Sequence, residues 1–125
     1  MLVIDKMSRK PIYEQLVEGL EREIVTGLIG EGEQLPSIRE LSVTLGVNPN
    51  TVQKAVLELD RLGVVVSSPG RGVFVAENAI AVIRTRMSGR ITEMKEMACE
   101  LARAGIDLKD VLSAVSEAYD SVNSK

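Results

Sequence analysis

Asn50, Thr51, Gln53 and Lys54 stand within five residues of one another and offer an amide, a hydroxyl, a second amide and a cation. A side-chain amide pairs bidentately with the edge of an adenine, while hydroxyls and ammonium groups hold phosphate oxygens. That combination reads nucleic acid, provided one element presents the four together. Val52, Ala55, Val56, Leu59 and Leu62 recur between them at steps of three and four, the stripe of a helix anchored to a core by its other face. The start of this helix is written twice. Asn48 is a good N-cap, and Pro49 follows at the first helical position, where a missing N–H costs nothing. Residues 47–62 therefore read as a recognition helix.

Other chemistry is poorly provided for. The 125 residues contain no histidine, which removes the commonest general base and the commonest metal ligand, and no nucleophile–base pair or phosphate-binding loop is visible. The chain reads as a non-enzyme with no cofactor and no metal. The single Cys99 excludes an internal disulfide and reads as a buried small hydrophobe in a helix. Two tyrosines, one phenylalanine and no tryptophan leave little aromatic surface for stacking single-stranded bases. No membrane span or signal peptide is apparent, so a cytoplasmic protein is expected. The net charge of -3 weighs mildly against nucleic acid, but phosphate responds to the charge at the contact surface.

Four stretches must hold the recognition helix in place. Residues 1–11, with Lys6, Arg9 and Lys10, read as a basic extended arm ending at Pro11, either a solvated tail or a phosphate contact. From Ile12, the positions Tyr13, Leu16, Val17, Leu20, Ile24 and Leu28 define an amphipathic support helix, with Glu14, Glu18, Glu21, Arg22 and Glu23 on an outer face turned away from DNA. After a connector anchored by Leu35, Ser37 and Glu40 form a capping box that opens a second helix carrying Ile38, Leu41 and Leu45. Gly46 then makes the tight turn into the Asn48 helix, which completes a helix-turn-helix. Arg39 alone would be a solvated cation; beside a groove-entering helix it is set for a phosphate or guanine. Past Gly63, the runs Val64–Val66 and Val73–Val75 flank Pro-Gly-Arg-Gly, a hairpin signal. A hairpin there is a wing, with Arg71 between two glycines at its tip.

A different pattern begins near Asn78. Ile80, Ile83, Met87, Ile91, Met94, Ala98 and Leu101 follow three- and four-residue steps to Gly105 and predict one long helix with a narrow apolar seam. Arg84, Arg86 and Arg90 are expected on its solvated side. Leu108, Val111, Leu112, Val115, Tyr119 and Val122 predict a second helix, with Asp107 as its cap. One subunit has too little surface to bury both stripes. A homodimer joined through Ile80, Ile83, Met87, Ile91, Met94, Leu101, Leu108, Leu112, Val115 and Tyr119 is the expected arrangement. A seam folded back on the wing domain of its own chain is the alternative. The division is thus a winged helix-turn-helix domain at 1–76 and a helical dimerisation region at 77–125, mainly α with a small β-hairpin wing.

The segments P-I-Y-E-Q-L, G-L-I-G-E-G-E-Q-L-P-S-I-R-E-L, V-N-P-N-T-V-Q-K-A and G-R-G-V-F-V, in this order and spacing, together resemble the GntR family of bacterial transcription regulators. The short helical tail is similar to that of the YtrA subfamily. This resemblance implies a homodimeric repressor of a near-palindromic operator, of its own operon or of ATP-binding-cassette transporter genes. Carried residue by residue, it puts DNA contacts at Ser37 and Arg39, at Asn48, Asn50, Thr51, Gln53 and Lys54, and at Gly70, Arg71 and Gly72. Pro49 stands where the wider family commonly has Arg, and Val73 where Thr is usual in the wing. Base preference and a wing hydroxyl contact therefore do not carry over. The expected partner is double-stranded DNA; a small-molecule effector, the operator sequence and the direction of control are not readable. A protein-interaction module is the rival class, since the acidic balance suits it and winged helices also bind partners.

Overall fold

The computed structural model describes residues 2–123. Met1, Ser124 and Lys125, the outermost ends of the expected arm and helical region, lie outside the described residues. The chain is mainly helical, with one antiparallel hairpin: α1 (Ile12–Val25), α2 (Ile38–Leu45), α3 (Pro49–Arg61), β1 (Val65–Ser68), β2 (Gly72–Val75), α4 (Ala79–Ser88), α5 (Ile91–Arg103) and α6 (Leu108–Asn123). It separates into two compact units, residues 1–86 and 87–125. The expected division at 76/77 falls ten residues earlier, because the first half of α4 is needed by the winged unit.

In the first unit, α1 and α2 both pack against α3, and Leu16, Leu20, Ile24, Val52 and Leu59 are fully buried together. Each such aliphatic side chain contributes on the order of 1.5–3 kcal/mol by leaving water. The capping box at the start of α2 is complete: Ser37 Oγ accepts from the Glu40 N–H at 3.0 Å, and the Ser37 N–H donates to Glu40 Oε1 at 3.1 Å. Gly46 ends α2 in the left-handed region (φ 65°), where a side chain would be strained. α1 stops at Val25, so Leu28 falls beyond the helix and is exposed rather than part of its stripe.

The arm is docked. Leu2 fills the space that a Cβ on Gly19 would need, Gln15 bonds both the N–H and the carbonyl of Asp5, and Lys6 Nζ donates to the Gly46 carbonyl at 2.9 Å. Lys10 is held by Glu18 at 2.8 Å. Of the arm's cations, Lys6 and Lys10 are therefore engaged within the fold.

The wing pairs Val65 with Val75 through Ser68 with Gly72. A third segment that the sequence does not announce lies along its β2 edge. The Leu35 N–H donates to the Val73 carbonyl, the Val75 N–H to the Glu33 carbonyl and the Gly32 N–H to the Val75 carbonyl, with Gln34 bridging Phe74. A lone two-stranded hairpin is marginal in water, and this edge stabilises it.

Three expectations about the stretch that forms α4 are corrected. The long seam helix is broken into α4 and α5 at Gly89, a residue whose backbone freedom disfavours a helix interior. Ala79 and Ile83 are buried with the winged core, which makes Ile83 a core residue of the first unit instead of an exposed seam position, and the half-buried Ile80 packs against the same core. For them, the fold-back alternative holds. Arg86 is not on a solvated face. It donates to Glu21, which is buried instead of standing on an outer acidic face, and the pair ties α4 to α1.

The second unit, α5 and α6, buries little. Met87, Ile91, Met94, Met97, Leu108, Leu112, Tyr119 and Val122 are exposed, and among the described residues of this unit only Leu101, Val111 and Val115 are half-covered. Cys99 on α5 is exposed, contrary to the burial expected of it, because this unit has no interior of its own for a small side chain. Among the described residues, no helix is long and apolar enough to cross a membrane.

Candidate nucleic-acid interface

α3 is fixed from behind. Val52, Ala55, Val56 and Leu59 are buried at three- and four-residue steps, while Asn50, Gln53 and Lys54 are exposed and Thr51 is half-buried. Asn48 caps the helix, its Oδ1 accepting from the Asn50 N–H at 2.8 Å, and Pro49 occupies the first turn. The oxygen of Asn48 is thus committed to the cap, which leaves its amide N–H groups as donors. Leu57, also exposed, adds an apolar side chain that the polar-face reading did not include.

The flanking cations come from separate elements. Arg39 is exposed on the first turn of α2. Ser37 has spent its acceptor on the cap, so its hydroxyl proton is the group it can still offer a phosphate. Arg71 is exposed at the turn of the wing, with Gly70 at φ 76° and Gly72 at φ 125° on either side. Neither backbone angle suits a side chain, and a Cβ at Gly72 would also run into Gln34. The Gln34 amide donates to the Arg71 carbonyl at 3.0 Å, and the Arg71 guanidinium lies 5.9 Å from the Phe74 ring centroid. The wing tip is thereby stitched to the connector between α1 and α2.

Two contributors escaped sequence reasoning. Gln34 lies in a stretch with no strand signal. Tyr13 was assigned to the core stripe of α1, yet its ring lies beneath Lys54, with Nζ 4.0 Å from the centroid. Desolvation, then the Glu14 carboxylate, which accepts from the phenol at 3.4 Å, push the Tyr13 hydroxyl above its ordinary value. One turn beyond Lys54, Glu58 is gripped by Arg61 through contacts of 2.8 and 2.6 Å, and the Arg61 hydrogen bond holds the Glu58 carboxyl below its ordinary value.

The entrance of the anchored helix α3 offers amides, a hydroxyl and a cation, and Arg39 on α2 and Arg71 on the wing are further exposed cations. Its donors suit phosphate oxygens and base edges. Among the described residues, no three His, Cys, Asp or Glu side chains converge to hold a metal ion.

Comparison with known proteins gives a consistent picture. Residues 12–75 match the family model described as bacterial regulatory proteins, gntR family. The chain is 34% identical over 118 residues, 94% of its own length and 91% of the relative's, to the HTH-type transcriptional repressor YtrA of Bacillus subtilis. It superposes with a TM-score of 0.72 and 32% identity on a GntR family transcriptional regulator from Listeria monocytogenes, covering 91% of this chain and 98% of that one. AraR(DBD), solved in complex with operator ORX1, matches 60% of this chain and 93% of its own with a TM-score of 0.55 and 32% identity.

Proposed function

Because the chain belongs to the GntR family of bacterial regulatory proteins and is a DNA-binding transcriptional regulator, we propose that it acts as a homodimeric repressor of a near-palindromic operator. The observation that carries this reading is the exposed polar entrance of α3, clamped from behind by a fully buried apolar face, with Arg71 exposed at the turn of the wing. In the proposed complex, α3 enters the major groove. Asn50 and Gln53 read base edges, each bidentate contact contributing roughly 1–3 kcal/mol of discrimination. Thr51, Lys54, Arg39 and the remaining donors of Ser37 and Asn48 hold the backbone, and Gly70, Arg71 and Gly72 approach the adjacent groove.

Homodimerisation rests on the second unit. Met87, Ile91, Met94, Leu108, Leu112 and Tyr119 leave a broad apolar surface exposed on the single chain, and a two-fold partner would cover it with the same surface. Methionines suit such an adaptable contact. Two recognition helices would then meet successive major grooves about one helical turn apart, roughly 34–36 Å. Repression by occupying promoter DNA, in the cytoplasm, is the direction of control we propose; the similar YtrA of Bacillus subtilis is named a repressor. The genes controlled are proposed to be its own operon or those of an ATP-binding-cassette transporter.

The test is fluorescence anisotropy of the purified chain on the DNA upstream of its own gene, against shuffled duplex, across a salt series. Preference for the upstream DNA, a steep salt slope and two chains per site are expected. Failure to bind either duplex at low salt would reject the DNA reading in favour of a protein-interaction module.

A further inference from the structure

Lys54 is the one cation that α3 places among its base-reading side chains, and its surroundings are unusual for a surface lysine. The carboxylate best spaced to pair with it along the helix, Glu58, is already bidentate to Arg61. Among the described residues, Lys54 forms no ion pair. Its ammonium instead lies 4.0 Å from the ring centroid of Tyr13, which α1 brings against α3. An aromatic face attracts a cation through its quadrupole without cancelling its charge, whereas a carboxylate would neutralise it. The lysine is therefore seated on the ring with no carboxylate paired to it.

We propose that Tyr13 is a positioning residue for DNA binding: its ring holds the Lys54 ammonium at the flank of the recognition helix, ready for a phosphate. This rests on the DNA-binding reading above. A free lysine side chain loses rotamer entropy when fixed; a lysine already lying on a ring loses less at the moment of binding. The ring also explains why a tyrosine at the rim of the α1 stripe is only half-buried. It packs against the edge of the core and offers its face to Lys54.

The pairing and its consequence are tested separately. In the free protein, nuclear magnetic resonance should find the Lys54 side-chain methylene protons shifted upfield by the ring current, an effect retained in Tyr13→Phe and lost in Tyr13→Leu. Binding is then measured on a random-sequence duplex at low salt. Tyr13→Leu is expected to weaken it roughly 2- to 5-fold, the range that an exposed cation–π contact supplies, while Tyr13→Phe stays at the wild-type value. Lys54→Gln should lower the salt slope by about 0.9, one phosphate contact, whereas Tyr13→Leu leaves the slope unchanged. In the Lys54→Gln background, Tyr13→Leu should add nothing. An equal loss in both backgrounds would mean that Tyr13 merely supports the fold and would overturn the proposal, as would absence of the upfield shift. A wild-type chain that binds no duplex would sink the DNA reading and this proposal with it. A wild type that binds no better than Tyr13→Leu would sink the positioning role alone.

Discussion

The two units of this chain are built from the same kind of helix and end in opposite states. α1 and α3 carry apolar stripes that meet, so that Leu16, Leu20, Ile24 and Leu59 lose all contact with water. α5 and α6 carry stripes of similar spacing, yet Met94, Leu108, Leu112 and Tyr119 remain exposed. The difference lies in the cover available. The winged unit has the hairpin, the connector and the first half of α4 to close its core, while the second unit has two helices and a short turn. An amphipathic pattern states which face must be covered. Whether the cover comes from the same chain depends on how much chain is at hand.

The contrast is easiest to break inside the winged core. Leu59→Ala should cost about 3–4 kcal/mol, the range for a buried leucine that leaves a cavity, and lower the urea midpoint of the winged unit. An equivalent change in the second unit should act on assembly instead. Leu112→Asp places a like charge on both sides of the proposed two-fold contact and should weaken the proposed dimer roughly a hundredfold by sedimentation, with the winged unit still folded. If the variant stayed dimeric, α6 would not be the contact.

Glu21→Gln probes the join between α1 and α4. Breaking a fully buried pair costs about 3–5 kcal/mol, but a third of the Arg86 side chain reaches solvent, so the loss should be about 2 kcal/mol in chemical denaturation. Replacing Glu21 and Arg86 together with apolar residues should recover most of it. Ser37→Ala removes the N-cap acceptor of α2 and should cost about 1 kcal/mol. The smallest effect is titratable. The Ser37 N–H, which donates to the carboxylate, holds the Glu40 carboxyl below its ordinary 4.5, so its support of α2 is present above that value and is lost as pH falls through the lowered one. Glu40→Gln should therefore be less stable than wild type near neutrality and show a shallower acid decline below about pH 4.5.

What could be read in the sequence was what short stretches write locally. Ser37 and Glu40 lie three apart, Asn48 and Pro49 are adjacent, and Gly46 and the Pro-Gly-Arg-Gly turn need only their own backbone. Each signal can be recognised without knowing the rest of the fold, and each is where the structure puts it. Several misses depend on distant partners. Ile83 and Met87 continue one periodicity, but one meets the winged core and the other does not, and spacing alone does not say what covers a face. Arg86 finds Glu21 across 65 positions of chain. Tyr13 looks like any member of an apolar stripe until α3 is laid beside it. Gln34 carries no strand signal because its strand is a single bridge.

That bridge gives the protein a fixed gauge. With Gln34 bonded to the carbonyl of Arg71 and residues 32–35 laced along β2, the wing tip is tied to the connector that leads into α2 and the recognition helix. The reach from α3 to the wing is then a property of the backbone lattice and not of a loose flap. On the proposed reading, the chain measures groove spacing like a caliper with its jaws locked. DNA whose groove width departs from that setting must bend to fit, and the sequences that bend most easily would be favoured at positions no side chain touches.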